Sequence, residues 1–174
     1  AFGIVNRLVF IVVMIVMGLN QGMQPIAGYN FGAKLYGRVN KVLKLTIIYA
    51  TAVTTFGFLV GMLVPDLVVG IFTSDAELTE LSVTGLRITV MFFPIIGFQM
   101  VTSNFFQSIG MAGKAIFLSL TRQMLILLPC LLILPQFFGV AGVWYSMPVS
   151  DLLASLIALV MLVCQFRKFR TSPL

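Results

Sequence analysis

Gly18-Leu19-Asn20-Gln21-Gly22-Met23-Gln24-Pro25-Ile26-Ala27-Gly28-Tyr29-Asn30-Phe31-Gly32-Ala33-Lys34 closes a long apolar run and sets four amides, four glycines and a proline within it. A helix that crosses the hydrocarbon layer needs about 20 apolar residues, and the run 4–31 meets that length. Pro25 has no N–H, so it removes one backbone hydrogen bond and frees a carbonyl near Gln21 to Met23. Gly18, Gly22, Gly28 and Gly32 provide two small-xxx-small faces that allow close helix approach. The sequence therefore predicts a first span that bends and packs tightly. Asn20, Gln21, Gln24, Tyr29 and Asn30 either bond neighbouring helices or line a wet cavity, the settings in which polar groups persist at membrane depth.

Outward from this stretch, four more segments have spanning length: about 44–64, 86–109, 115–137 and 140–165. The connectors have loop composition. Gly32 to Lys41 is small and basic, Pro65 to Glu80 is acidic, Gly110-Met111-Ala112-Gly113-Lys114 reads as a tight turn, and Phe138-Gly139 is shorter still. The expectation is an all-α, polytopic membrane protein of five transmembrane helices, with residues 1–174 forming one domain. The chain opens on Ala1 and enters an apolar run at once, so a preceding segment is expected.

Composition agrees. The 174 residues are 60% hydrophobic and 9% charged, with a mean hydropathy of +1.10, whereas soluble domains carry about 25% charged residues. A soluble domain of this length could not hide so much apolar surface. The net charge of +6 arises from short basic clusters between apolar runs and not from a face rich in polar groups, a pattern that weighs against nucleic acid. Histidine is absent and the two cysteines lie inside apolar runs, which removes His-based catalysis, His/Cys zinc sites and a disulfide framework. No nucleophile–base pair or metal cluster is visible, so an enzyme is not expected and no cofactor is implied.

Lys34, Arg38, Lys41 and Lys44, then Lys114 and Arg122, then Arg167, Lys168 and Arg170 fall on one side of a five-span chain. Asp66, Asp75, Glu77 and Glu80 fall on the other, near Arg7 and Arg87. Lys and Arg gather in cytoplasmic loops, so the chain is read as starting outside and ending in the cytoplasm.

The run from Gly18 to Lys34, with Tyr36 and Arg38-Val39-Asn40-Lys41, resembles the GxxQGxQPIxGYNxGAKxYxRVxK pattern in the C-terminal half of bacterial multidrug-and-toxic-compound-extrusion (MATE) transporters. The likeness continues in order through Leu86-Arg87-Ile88, Phe93-Pro94, Gly97-Phe98-Gln99, Phe106-Gln107-Ser108-Ile109-Gly110, Leu118-Ser119-Leu120-Thr121-Arg122-Gln123, Ile133-Leu134-Pro135, Gly142-Val143-Trp144 and Pro148-Val149-Ser150-Asp151. It implies spans eight to twelve of a two-lobe carrier, an incomplete six-helix lobe whose N-terminal partner lobe is missing. It also implies multi-pass residence in the bacterial inner (plasma) membrane, and export of small amphipathic or cationic substrates by proton- or sodium-coupled antiport. The family places coupling carboxylates in the N-terminal lobe or in its seventh and tenth spans. The tenth-span equivalent here carries Gln99, Asn104 and Gln107 but no acid, so no coupling site carries over.

Asp151 is the acid inside an apolar span. It lies eleven residues into the last one, about 16 Å deep by helical rise and near the middle of a layer about 30 Å thick. An unpaired carboxylate there would cost about 2.5–3.5 kcal/mol or more, so it is expected to be paired, hydrated or protonated. A group that takes up and releases a proton would suit coupling; a hydrogen bond to a neighbouring span would be structural. Arg122, about two turns inside its span, is expected to snorkel to the cytoplasmic headgroups, the alternative being a polar group of the first span. Pro25, Pro94 and Pro129 are kink candidates. Met14, Met17, Met23, Met91, Met100 and Met124 with Phe92, Phe93, Phe98, Phe105 and Phe106 could offer a soft drug surface, or simply face lipid and neighbouring helices. Trp144 and Tyr145 suit an outer interfacial belt. Cys130 and Cys164 lie about 20 Å apart by helical rise, beyond the roughly 7 Å limit for a disulfide.

Two rival readings remain. Flipping of lipid-linked oligosaccharide or polysaccharide, as in the wider superfamily, would need a strongly cationic cavity, and the central spans hold almost no cation except Arg122. A non-transporting membrane fragment that packs against another protein is the second.

Overall fold

The computed structural model describes residues 1–171, which form α1 (Phe2–Gly32), α2 (Tyr36–Leu63), α3 (Pro65–Gly70), α4 (Ala76–Val90), α5 (Phe93–Ser108), α6 (Ala112–Leu120), a π-helical stretch (Thr121–Leu127), α7 (Leu128–Phe138) and α8 (Val140–Thr171). Four helical segments are long and apolar enough to cross a membrane: α1, α2, the α6–α7 run and α8. The α4–α5 pair, bent by 53° at its break, makes a fifth. The protein is an all-α, polytopic membrane protein.

The helices outrun the apolar segments from which they are read. The second starts at Tyr36, not near 44, and the last runs to Thr171, beyond 165. Hydropathy marks where lipid ends, whereas a helix ends where its backbone groups find other partners. The stretch 65–80, expected as a loop, is largely helical. Pro65 opens α3 at a position where its missing N–H costs nothing. Asp75 caps α4 by accepting from the Leu78 N–H at 3.1 Å. The third span is therefore a bent pair reaching back to Ala76. The supposed turn 110–114 is shorter than expected, because α6 begins at Ala112.

Left-handed residues close two of the turns. Leu35 N–H reaches Asn30 O at 2.9 Å across Lys34, whose φ is 59°. Met111 N–H reaches Phe106 O at 2.9 Å across Gly110, at φ 77°. Glycine adopts this geometry without strain; a lysine is penalised there by its Cβ.

α5 lies at the centre, against α1, α2, α6 and α8. Its fully buried Phe105 and Phe106 meet Met23 and Ala27 of α1, Leu43 of α2 and Leu162 of α8 in one cluster. A second cluster, Val5, Leu86, Val90 and Phe93, fills the other end. Close approach is set by glycines other than those expected. A Cβ on Gly97 would stand 2.8 Å from both Ala50 O and Thr54 Oγ1, and one on Gly142 would stand 2.5 Å from the Leu134 carbonyl. Of the four glycines in the opening stretch, only Gly28 is crowded, with Ser108 O at 2.9 Å; Gly18, Gly22 and Gly32 meet nothing within 4 Å among the described residues. Among the described residues one of these four glycines packs against a neighbour, and the other three lie on a side of α1 that those residues leave uncovered.

The hairpin order gives the bundle a basic face and an acidic one. On the basic face Tyr36 stacks on Phe169 at 5.0 Å, and Lys114 Nζ bonds Gln165 Oε1 at 2.6 Å. Those contacts join the three basic clusters. Asp66, Asp75, Glu77 and Glu80 sit at the opposite end, on α3, α4 and the turn between them. There Trp144 covers Gly85 and meets Phe2 at 5.5 Å between ring centres.

Candidate functional site

Two polar features lie inside the bundle. The first is the seam between α1 and α5. Gln24 Nε2 donates to Asn104 Oδ1 at 3.2 Å, across a sequence separation of 80. Asn104 Nδ2 in turn donates to Met100 O at 2.9 Å. One turn on, Gly28 stands against Ser108, again 80 positions away. A constant offset means that the two helices run parallel, in register, at both levels. The same offset sets Asn20 level with Met100, beside Gln99. Asn20 is 2% exposed and neither amide atom has a partner; Gln99 is 5% exposed and its Oε1 has none. Each unmet buried group costs about 1–3 kcal/mol. The seam thus holds amides whose bonds this chain does not complete.

The second feature is an ion pair. Arg122 Nε and Nη2 converge on Asp151 Oδ1 at 2.8 Å and 2.7 Å. Asp151 is 4% exposed. This corrects the snorkelling expectation for Arg122: the guanidinium turns inward, because a carboxylate in hydrocarbon attracts it more strongly than distant headgroups do. Asp151 is thus paired, the first of the three states expected of it. The local backbone places Arg122. Pro129 offers no N–H to the carbonyl four residues before it, and the helix ahead of it widens into a π turn in which Leu128 N–H bonds Gln123 O. Ser150 Oγ then donates to Arg122 O at 3.3 Å, so side chain and carbonyl of Arg122 are both held by α8. Thr121 Oγ1, buried beside it, has no partner.

The remaining candidates are dispersed. Gln21 and Tyr29 are exposed on α1, Tyr29 at 77%. Asn30 Nδ2 bonds Ile26 O at 2.7 Å within its own helix. Gln107 is exposed and lines a cleft of about 300 Å³ with Ser103 and Ser119. α1 stays helical through Pro25. Pro94 follows directly after the 53° break that ends α4. Met23, Phe93, Phe105 and Phe106 are core, whereas Met14, Met17, Met91 and Met124 are exposed. The best-enclosed cleft, about 210 Å³ between α1, α2 and the α4–α5 bend, is apolar and touches none of the polar candidates. Cys130 and Cys164 are both free thiols.

Sequence reasoning flagged Arg122 and Asp151 separately and missed their pairing. It also missed Ser150, which had signalled only through its place beside Asp151. No group of three or more His, Cys, Asp or Glu side chains that could hold a metal ion occurs among the described residues.

Five helical spans enclosing an amide seam and a buried ion pair define an integral membrane protein with a polar interior, the class that includes carriers. Residues 1–133 match the MatE family model, and the chain belongs to that family. It is similar to the multidrug export protein MepA of Staphylococcus aureus, 28% identical over 159 residues, covering 91% of this chain and 35% of that protein. The MepA of Staphylococcus saprophyticus is 23% identical over the same length. Among solved structures, the MATE multidrug transporter DinF-BH, solved as a complex, is 37% identical with a TM-score of 0.88, over 98% of this chain and 38% of that one. An outward-facing multidrug resistance MATE family transporter of the MOP superfamily, 19% identical, has a TM-score of 0.90 over 98% of this chain and 39% of that one, a likeness of fold. The chain spans about 35% of the length of the curated relatives it matches.

Proposed function

We propose that this chain supplies five spans of one lobe of a multidrug efflux transporter, which exports organic cations and amphipathic drugs in exchange for inward-moving protons or sodium ions. The observation that carries this reading is the likeness, over nearly the whole chain, to the MATE multidrug transporter DinF-BH. The geometry supports it. Asn20 and Gln99 leave amide groups unmet at one level of the α1–α5 seam, and α1 keeps Gln21 and Tyr29 on an uncovered side. Gln21 and Tyr29 suit a wet cavity shared with a second, N-terminal lobe, which would rock against this one, and the Asn20–Gln99 level lies one layer behind it. The basic face lies in the cytoplasm of the inner membrane, by the bias of Lys and Arg to that side, and the C-terminus lies with it.

Asp151 is positional in this scheme, since its charge is neutralised by Arg122. The same pairing weighs against oligosaccharide flipping: the cation of the central spans is already matched where a cationic cavity would be needed.

The test uses the full-length gene in a drug-hypersensitive strain, with efflux of a fluorescent organic cation followed under imposed proton or sodium gradients. Gradient-driven efflux is expected. Its absence from a folded, inserted protein overturns the reading. If Asp151→Asn inserts normally yet abolishes gradient dependence while binding persists, Asp151 couples ions and is not merely positional.

A further inference from the structure

The basic ends of α2 and α8 flank a groove of about 600 Å³. Asn40, Lys44, Ile47 and Ile48 of α2 line one wall, at the spacing of a single helical face, and Phe166 and Arg170 of α8 line the other. Lys44 and Arg170 are exposed and form no ion pair among the described residues. Asn40 also lines the groove, with its Oδ1 shut away from the surface and without a hydrogen-bond partner among the described residues. A second groove of about 610 Å³ shares Ile47 and Ile48 and continues along α2 past Thr51 and Phe56 to Leu59. Ile47 to Leu59 is about 18 Å of helix, close to one leaflet of a layer about 30 Å thick.

Two cations above an apolar trough one leaflet long match an amphiphile with an anionic head. We infer that this is a binding site for an anionic glycerophospholipid. The phosphate sits between Lys44 and Arg170, and an acyl chain lies along Ile48, Phe56 and Leu59. Basic pockets between membrane helices select anionic headgroups in this way. A neutral partner helix would bury both cations without an acid, and Asp66, Asp75, Glu77 and Glu80 are at the opposite face. The inference needs the chain to lie in a bilayer with this groove turned to lipid in the full-length protein, and it does not depend on what that protein transports.

The full-length protein, purified in detergent, is titrated with phosphatidylglycerol or phosphatidylcholine of the same acyl chains and analysed by native mass spectrometry. Phosphatidylglycerol is expected to bind roughly tenfold more tightly, as two cations near an anionic headgroup imply. Lys44→Gln with Arg170→Gln should erase that preference, and Lys34→Gln with Arg38→Gln should keep it. Ile48→Trp, which fills the trough with both cations in place, should weaken phosphatidylglycerol binding in a protein of unchanged helicity. Equal binding of the two lipids, or a preference that survives loss of Lys44 and Arg170, overturns the proposal. So does displacement of the lipid by inorganic phosphate alone, which would make the site one for a free anion, and so does displacement by an acidic helical peptide that leaves no lipid bound to the native complex.

Discussion

Arg122 and Asp151 stand 29 positions apart in sequence and 2.7 Å apart in space, in an ion pair whose carboxylate is shut away from the surface. Two charges have been brought into the hydrocarbon layer together, and neither can be removed alone without leaving the other uncompensated. Arg122→Met, which strands the buried carboxylate, should therefore lower stability by about 3–5 kcal/mol. Asp151→Leu should cost less, because the Arg122 side chain is 36% exposed and can turn outward, and the two together should cost less than their sum. Thermal unfolding of the three variants in detergent, treated as a double-mutant cycle, checks this. Additive losses would mean that the pair is not energetically coupled.

Gly97 and Gly22 offer a controlled comparison. A Cβ at Gly97 would press on Ala50 O and Thr54 Oγ1 at 2.8 Å, whereas one at Gly22 meets nothing within 4 Å. Gly97→Ala should cost about 1–3 kcal/mol by forcing α2 from α5. Gly22→Ala should be neutral, or stabilising by up to about 1 kcal/mol from the helix propensity of alanine. Melting temperatures of the two variants in one detergent decide it, and a large loss at Gly22 would show that another helix covers that side of α1.

Asn20 separates stability from function. Its buried amide has no partner among the described residues, so Asn20→Leu should raise stability by about 1–3 kcal/mol, and on the proposed transport reading it should also reduce efflux of a fluorescent cation by the full-length protein. A fall in melting temperature would mean that the amide is bonded in the full-length protein.

Lys34 holds a left-handed conformation, φ 59°, in the turn that ends α1. Lys34→Gly should stabilise by about 1 kcal/mol, because a side chain there carries a penalty of about 1–2 kcal/mol that glycine avoids. Lys34→Ala, which keeps the Cβ, should bring no gain. Chemical denaturation of both variants separates the conformational effect from the loss of charge.

The number and order of spans were legible because each is an apolar run of bilayer length. The bend between Val90 and Phe93 was not, because hydropathy is blind to a change of helix direction within an apolar run, although Pro94 marked the place. α4 was hidden by its acids, yet Asp75 followed by a first-turn Glu77 is an ordinary helix start. For the polar interior, the residue types were readable and their partners were not. Counting from the Gly139 turn, Asp151 lies about 18 Å along its helix and Arg122 about 25 Å along the other. A long side chain closes that gap, so an opposite-charge pair at similar depth was within reach of the sequence. Which way each faced depended on helical phase, and the π turn ahead of Pro129 changed that phase. The glycines were ambiguous for a related reason: spacing shows that four of them could face a neighbour, and only the folded chain shows that, among the described residues, Gly28 does so and Gly18, Gly22 and Gly32 do not.

The parallel registry of α1 and α5 makes the pair a single lever. Since Gln24–Asn104 and Gly28–Ser108 keep one offset of 80, a sliding motion between the two helices would break a hydrogen bond and a backbone contact at once. Tilting them together breaks neither. On that geometry, a force applied at the basic end, where the Ser108 contact lies, would reach the level of Asn20 by tilting α1 and α5 together.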